Sequence, residues 1–100
     1  MFIAILEFEV TEADRTRALD ALTREAEEVR TMPGNIAFRP FLDPAKASQV
    51  VLLHEWEDQP SFRAYTDSPS FARLGAALRP LMTKAPLSRR FQAELAQVLA

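Results

Sequence analysis

QVVLLHEWE, residues 49–57, is the stretch that decides the fold, because its run of large apolar, β-branched and aromatic side chains favours a strand. Successive side chains of a strand point to opposite faces of the sheet. One face is therefore predicted to carry Val50, Leu52, His54 and Trp56, and the other Val51, Leu53, Glu55 and Glu57. Both sets contain large apolar groups, which predicts a sheet that is covered on both faces.

The residues before this strand predict its hairpin partner. Asn35–Asp43 (NIAFRPFLD) is predicted to form the preceding strand. Pro40 has no N–H to give to a neighbouring strand, so we expect this strand at the edge of the sheet or with a bulge at Pro40. Residues 43–48 are then a polar hairpin loop.

The N-terminal part of the chain predicts a strand followed by an amphipathic helix. Phe2–Val10 is rich in β-branched and aromatic residues and is predicted to be the first strand. Thr11-Glu-Ala-Asp14 then resembles a capping box. The apolar stripe of the helix is Leu19, Leu22, Ala26 and Val29. The helix is predicted from about Glu12 to Thr31, and Pro33-Gly34 ends it.

The residues after the central strand predict two consecutive helices. Asp58 can cap a short helix that carries Phe62 and Tyr65, and Ser68-Pro69 starts another. Spacings of three and four place Phe71, Leu74, Leu78 and Leu81 on one stripe. Pro80 kinks or ends this second helix because proline lacks the N–H that a helix interior needs.

The C-terminal segment from Leu87 to Ala100 is ambiguous. Its alanines and leucines favour a helix, whereas completing the sheet requires a strand. We predict a strand over about Ser88–Leu95. The chain is then one α+β domain over residues 1–100, with the order β-α-β-β-α-β, an antiparallel sheet and its helices on one face.

The composition excludes several kinds of site. The 100 residues include no cysteine and one histidine, which excludes a disulfide framework and a thiolate nucleophile and argues against a zinc site. The formal net charge is -2 and no basic cluster stands out beyond Arg89-Arg90, so no nucleic-acid partner is expected. The apolar run at residues 2–6 is too short for a signal peptide or a membrane span. We therefore expect a cytoplasmic protein with no membrane partner.

A second copy of the chain is the expected partner of the sheet. A domain this short buries little of its own surface, and helices on one face leave the other face bare in a monomer. Burying about 600 Å² of apolar surface per subunit would contribute about 15 kcal/mol before the cost of association. The sequence therefore predicts a homodimer that pairs sheet to sheet.

The pattern between Val50 and Leu74 resembles a known family. An apolar strand ends in Glu55-Trp56-Glu57, a short helix carries Phe62 and Tyr65, and Ser68-Pro69-x-Phe71 opens the next helix. This pattern and the element order resemble the antibiotic biosynthesis monooxygenase (ABM) superfamily of dimeric α+β barrels. The resemblance implies a ferredoxin-like protomer, a homodimer with its sheets face to face, and a pocket between the sheet and the helices of each protomer.

Three positions limit which of the reactions known in the family this chain is expected to carry out. Some members oxidise polycyclic phenols or quinols with O2 and no metal or flavin, and others degrade haem. Leu52 stands where the cofactor-free members place an asparagine, Gly75 where haem-degrading members have a histidine, and Ser70 where many quinol-oxidising relatives have a histidine. The resemblance therefore implies no cofactor and argues against haem degradation, and the oxygenase constellation is incomplete.

Three residues are predicted to be catalytic. His54 could abstract a phenolic proton at neutral pH, and Trp56, two residues away on the same face, could stack on a flat substrate. Tyr65 carries the only phenol of the chain and could donate a hydrogen bond to the substrate. Packing in the core is the alternative for each of the three, and it is the favoured one for His54 and Tyr65, whereas Trp56 could be both a core residue and a pocket wall.

The predicted substrate-binding residues are Phe8, Phe38, Arg39, Leu52, Phe62, Phe71 and Leu78. Arg39 could instead pair with Glu55 or Glu57 across the hairpin. Arg73 and Arg79 are expected on a solvated helix face. No metal site is predicted from the acidic residues at the strand ends.

Two functions therefore remain open. The first is a cofactor-independent monooxygenase that acts with O2 on an aromatic phenol, quinol or polyketide-type substrate. The second is a non-catalytic dimer that binds a small ligand or that assists or regulates another enzyme. His54 and the aromatic residues favour the first, whereas Leu52 and Ser70 favour the second.

Overall fold

The computed structural model describes residues 1–100. One antiparallel sheet contains the strands β1 (Phe2–Glu9), β2 (Asn35–Asp43), β3 (Lys46–Trp56) and β4 (Leu87–Gln92), in the order β2-β3-β1-β4. Helix α1 (Arg15–Val29) joins β1 to β2, and helices α2 (Gln59–Thr66) and α3 (Pro69–Leu78) join β3 to β4. The predicted α+β, ferredoxin-like architecture is confirmed, including a strand at the C-terminus.

The inner face of the sheet forms the core with the helices. Pairing places His54 of β3 opposite Ala4 on one side and Phe38 on the other. The strands contribute the buried residues Phe2, Ala4, Phe8, Phe38, Val50, Leu52 and Trp56, and α1 contributes Ala18, Ala21, Leu22, Ala26 and Val29. The predicted alternation of β3 is confirmed, because its even-numbered residues from Val50 to Trp56 are all buried.

The two helices after β3 begin at their predicted caps. The Asp58 carboxylate accepts a hydrogen bond from the Ser61 N–H at 2.8 Å, and the Ser68 Oγ accepts one from the Phe71 N–H at 3.2 Å. Helix α3 ends at Leu78, and a 3-10 turn that contains Pro80 follows it. None of the helices combines the length and the apolar character that crossing a membrane would require.

The start of α1 differs from the prediction. The Thr11 side chain makes no capping hydrogen bond, residues Glu12–Asp14 form a 3-10 turn, and the α-helix begins at Arg15. The Asp14 carboxylate instead pairs with Arg17 at 3.3 Å, one turn further along. The predicted capping box is therefore wrong: neither Thr11 nor Asp14 makes a side-chain capping hydrogen bond, and the Asp14 carboxylate is used in an ion pair instead.

Two strand ends also differ from the prediction. The hairpin loop is shorter than expected, since only Pro44 and Ala45 separate β2 from β3 and the Asp43 carboxylate accepts the Ala45 N–H at 2.8 Å. Strand β4 ends at Gln92 rather than Leu95. Pro40 does lie on an edge strand, as predicted, and the irregularities of β2 fall at its two ends rather than at Pro40.

The outer face of the sheet, away from the helices, is uncovered. Its centre consists of half-buried residues of β1 and β3: Ile3, Ile5, Val51 and Leu53. Its margins carry Phe41, Leu87 and Phe91, whose exposed fractions are 44%, 54% and 41%. We call this surface the open face. The apolar second face expected from β3 is therefore present in the folded chain.

Candidate functional site

A cavity of about 250 Å³ lies between the helices and the β4 side of the sheet. Every residue of β4 is exposed, so the helices do not pack onto this edge strand, and the space left beside it is the cavity. The sheet contributes the floor residues Ala4, Leu6, Leu52 and His54, and the helices contribute Phe62, Tyr65, Phe71, Leu74, Gly75 and Leu78. The rim consists of Arg79, Met82, Pro86, Ser88 and Arg90.

His54 is the polar group on the floor of the cavity, and only 5% of it is exposed. The indole Nε1–H of Trp56 donates a hydrogen bond to its Nδ1 at 2.9 Å. Because an indole nitrogen can only donate, Nδ1 is the unprotonated nitrogen, and the neutral ring carries its proton on Nε2. Nε2–H makes no hydrogen bond within the chain. Because every fully buried side-chain nitrogen of the chain does have a partner, Nε2–H must be accessible, and His54 lines the cavity.

Burial lowers the pKa of His54 to about 4, and the positive charge of Arg90 acts in the same direction. The imidazole is therefore neutral at pH 7. A neutral ring with its proton on the cavity side donates a hydrogen bond there and cannot accept one. This arrangement favours a hydrogen-bond donor at His54 over the general base expected from the sequence.

Trp56 and Tyr65 stack on each other, and both rings contact His54. Their ring centroids are 5.3 Å apart with an interplanar angle of 21°. Trp56 is completely buried and does not line the cavity, so it can act on a ligand only through His54. Tyr65 does line the cavity. Burial, with the nearby negative charge of Glu25, raises the pKa of Tyr65, so its hydroxyl stays protonated and can donate.

Arg79 folds back from the end of α3 toward Gly75 and reaches the rim. A Cβ atom at Gly75 would lie 3.0 Å from a guanidinium nitrogen of Arg79. Glycine inside a helix costs about 1 kcal/mol relative to alanine, and here the missing side chain leaves room for the guanidinium. Arg79 is exposed, as expected for a solvated helix face, and the space at Gly75 also lets its guanidinium reach the rim of the cavity.

Arg90 reaches the rim from β4, where it pairs with Ala4 of β1. Its guanidinium carbon lies 4.9 Å from the centroid of the Phe62 ring, a cation–π contact that holds the side chain at the cavity. Sequence reasoning missed Arg90. Alternation along β4 would have placed Ser88, Arg90 and Gln92 on the inner face, but only once the pairing of β4 with β1 was known.

The predicted substrate-binding residues divide into two groups. Leu52, Phe62, Phe71 and Leu78 line the cavity. Phe8 and Phe38 do not, because they belong to the sealed core, where Phe38 packs edge-on against the other side of His54 at 5.5 Å.

Arg39 lies far from this site. It pairs with Leu53 in the sheet, which places it on the open face rather than in the cavity. No ion pair joins it to Glu55 or Glu57, so the alternative expectation of a pair across the hairpin is wrong as well.

A polar cluster outside the cavity fixes α3 against α1. The Ser70 Oγ donates to Glu25 at 2.5 Å, and the Arg73 guanidinium binds Glu25 at 2.9 Å and also contacts Glu28. The hydrogen bonds from Arg73 are the main cause that lowers the pKa of Glu25. Arg73 is exposed, as expected, and it also links the two helices.

The acidic residues at the strand ends form ion pairs. Glu9 is bound by Lys46 and Lys84, which hold the pKa of its carboxyl well below the usual range, and Glu7 faces Arg89 at 3.6 Å. The chain has no group of three or more histidine, aspartate or glutamate side chains placed to hold a metal ion.

Comparison with known proteins gives a family model and several similar structures. Residues 1–77 match the model described as antibiotic biosynthesis monooxygenase. A candidate antibiotic biosynthesis monooxygenase from Deinococcus radiodurans superposes with a TM-score of 0.90 at 15% identity, over 100% of this chain and 99% of that one. A similar candidate from Nitrosomonas europaea gives 0.87 at 14% identity, over 93% and 98%.

A variant of SnoaB, a cofactor-independent oxygenase from Streptomyces nogalater, superposes with a TM-score of 0.77 at 24% identity, over 98% of this chain and 95% of that one. At these identities the structural likeness shows the fold alone. No curated protein matches the chain in sequence at a significant level. The family model, however, covers residues 1–77 of 100, which is well over half. The chain therefore belongs to the antibiotic biosynthesis monooxygenase family.

Proposed function

We propose that this protein is a cofactor-independent monooxygenase that oxidises an aromatic phenol, quinol or polyketide-type substrate with O2. Family membership supports the reaction class, and the fold is similar to that of SnoaB, which is a cofactor-independent oxygenase. The observation that carries the proposal is the orientation and protonation state of His54. It presents a fixed, neutral N–H to an apolar cavity whose lining contains no acidic residue.

A fixed donor of this kind favours the ionised form of a bound phenol or enol. A hydrogen bond to an oxygen strengthens as that oxygen becomes negative, and a donor held in place needs no reorganisation when the charge develops. The substrate loses its proton to bulk water before it enters, and the cavity binds the anion. Ionisation matters because an electron-rich phenolate or enolate can pass an electron to O2, whereas the neutral compound does so poorly.

The reaction balances without an external reductant. The anion gives one electron to O2, and the resulting carbon-centred radical and superoxide combine to form a carbon–oxygen bond. Protonation gives a hydroperoxide, and loss of water breaks the O–O bond and leaves a carbonyl group on the ring. One oxygen atom enters the product, the other leaves as water, and the substrate supplies all the electrons.

Each predicted catalytic residue has a role in this scheme. His54 touches the reacting oxygen through Nε2–H. Trp56 is a positioning residue, because its indole N–H fixes which nitrogen of His54 carries the proton. Tyr65 offers a second, protonated donor in the cavity. The flat ring of the substrate packs against Leu52, Phe62, Phe71 and Leu78.

The second candidate is a module that binds an aromatic ligand without turning it over, or that assists another enzyme. It is favoured by the absence of a base in the cavity, since Leu52 is apolar and the pKa of His54 is about 4. Both candidates use the same cavity, so only turnover distinguishes them.

Oxygen uptake with a panel of hydroquinones and anthrones tests the proposal. We expect uptake that depends on the protein and a rate that falls by about a hundredfold in His54→Leu, which removes the donor. His54→Gln keeps an oxygen for the Trp56 N–H and an NH2 for the substrate, so it should retain part of the rate. Arg24→Met, on the exposed face of α1, is the control and should match the parent protein.

Two outcomes would contradict this scheme in different ways. Thermal stabilisation by these compounds with no oxygen uptake would favour the binding module. Equal loss of rate in His54→Leu and His54→Gln would point to proton abstraction by the imidazole, because glutamine can replace a donor but not a base.

We also propose that the open face pairs with the open face of a second copy. Its centre is apolar, because Ile5 pairs with Leu53 and both Ile3 and Val51 lie on the same face. Phe41, Leu87 and Phe91 leave large apolar groups in water in a single chain. A two-fold pairing would cover these groups on both copies at once.

A further inference from the structure

We infer, on the basis of the proposed function, that the substrate is an aromatic acid whose carboxylate is bound by Arg79 and Arg90 at the rim while its phenolic oxygen meets His54 at the floor. The carboxylate is a further feature of the substrate class. It is indicated by the two arginines at the rim, by the polar His54 at the floor and by the apolar space between them.

The charged groups that line the cavity are all cationic. Arg79 and Arg90 are its only permanently charged residues, and none of the fifteen lining residues is acidic. Neither arginine takes part in an ion pair elsewhere in the chain. By contrast Arg73 of α3 and Arg89 of β4 are both paired with carboxylates. The cationic charge at the rim is therefore available to a ligand.

Both guanidiniums are held at the rim by contacts other than ion pairs. Arg90 lies over the ring of Phe62, which itself lines the cavity. Arg79 occupies the space that the missing side chain of Gly75 leaves open. Arginine presents a planar set of N–H donors that matches a carboxylate, and a side chain already held in place loses less freedom when it binds.

The polar groups lie at two depths with an apolar zone between them. His54 is 5% exposed at the floor, whereas Arg79 and Arg90 are exposed at the rim. Phe71, Leu74 and Leu78 form the apolar lining of the helix side. A ligand that satisfies all three zones has an oxygen at one end, a flat apolar body, and an anionic group at the other end.

The size of the cavity limits the apolar body. About 250 Å³ is below the range of roughly 300–1,000 Å³ that is usual for sites of drug-sized ligands. Two or three fused rings suit this space better than a larger polycycle. Naphthalene compounds that carry a hydroxyl and a carboxylate at opposite ends are therefore suitable probes.

Calorimetric titration at neutral pH with three matched probes tests the inference. 6-Hydroxy-2-naphthoate carries both polar ends, 6-hydroxy-2-naphthamide has a neutral outer end, and 2-naphthol has no outer polar group. We expect the acid to bind at least about tenfold more tightly than the amide. The preference should shrink as ionic strength rises, because the rim is exposed to solvent and salt screens it.

Variants of the two arginines assign the preference to them. Arg79→Met and Arg90→Met should each reduce the preference for the acid, and the double variant should abolish it while 2-naphthol binds as before. Lysine at either position keeps the charge without the planar donors, so it should restore part of the preference. Arg24→Met removes the same charge from the far side of α1 and should change nothing.

Equal binding of acid and amide to the parent protein, or a preference that survives in the double variant, would overturn the inference. Oxygen uptake, measured separately with neutral and acidic quinols, distinguishes this result from the proposed function. Oxidation of neutral and acidic quinols at the same rate would support the oxygenase and refute the acid specificity. Tight, arginine-dependent binding of the acid without any oxygen uptake would support the acid site and refute the oxygenase.

Discussion

His54 owes its properties to two neighbours that act on different parts of its ring. The surrounding apolar groups remove water and lower its pKa, and the Trp56 N–H occupies Nδ1. The sequence predicts that both residues share a strand face, because alternation along β3 requires it. It cannot predict the hydrogen bond between them, which depends on the rotamers of two side chains packed against Tyr65 and Phe38.

The pKa of His54 predicts how stability depends on pH. The pKa of His54 is 6.5 in the unfolded chain and about 4 in the folded chain. The neutral ring therefore contributes its full stabilisation above pH 6.5, and this stabilisation is lost as the pH falls toward 4. Between pH 7 and pH 5 the free energy of unfolding should fall by about 2 kcal/mol. Urea denaturation at one protein concentration measures it.

The control for this prediction is His54→Gln, because His54 is the only histidine of the chain and glutamine does not titrate. The variant should lose most of the decline between neutral and mildly acidic pH. The same decline in both proteins would show that another group causes it and that His54 is not held neutral by burial.

At the scale of elements, the cavity results from how α3 and β4 end. The sequence predicts α3, its cap at Ser68 and its end near Pro80, because each depends on local chemistry. It predicts β4 only through the need to complete the sheet. The rim requires the chain reversal between Arg79 and Arg90, which brings two distant arginines to one cavity and has no local signal.

Gly75→Ala tests the link between α3 and the rim. Alanine favours a helix over glycine by up to about 1 kcal/mol, so the variant should be at least as stable as the parent protein. Its Cβ would displace the Arg79 guanidinium, and the preference for 6-hydroxy-2-naphthoate over the amide should fall several-fold. Thermal denaturation and calorimetric titration measure the two effects.

Ala77→Gly is the matched change in the same helix. Ala77 is exposed and does not line the cavity, so glycine there should cost about 1 kcal/mol and leave ligand binding unchanged. An unchanged acid preference in Gly75→Ala would show that Arg79 reaches the rim without needing the space at Gly75.

At the scale of the whole molecule, the chain divides its apolar surface between two faces of one sheet. The helices cover the inner face, and the open face retains the centre of β1 and β3 together with Phe41, Leu87 and Phe91. The apolar residues on both sides of β1 and β3 predict this division from the sequence. Which edge of the inner face holds the cavity depends on the strand order, which places β4 beside β1.

Light scattering tests the pairing of the open faces. At micromolar concentration we expect a mass of about twice the 11.3 kDa of the chain. Leu53→Lys places a charge at the centre of the open face and should give the monomer mass, whereas Thr23→Lys on the exposed face of α1 should not. A parent protein that is already monomeric at this concentration would contradict the pairing.

The fate of the two oxygen atoms tests the proposed reaction most directly. Under ¹⁸O₂, in unlabelled water, mass spectrometry of the oxidised anthrone or quinol should show one ¹⁸O in each product molecule, formed only when the protein is present and slowly with His54→Leu. Hydrogen peroxide should not accumulate, because the second oxygen leaves as water. A product without ¹⁸O, or labelled product formed equally fast by His54→Leu, would contradict a monooxygenase that works through this cavity.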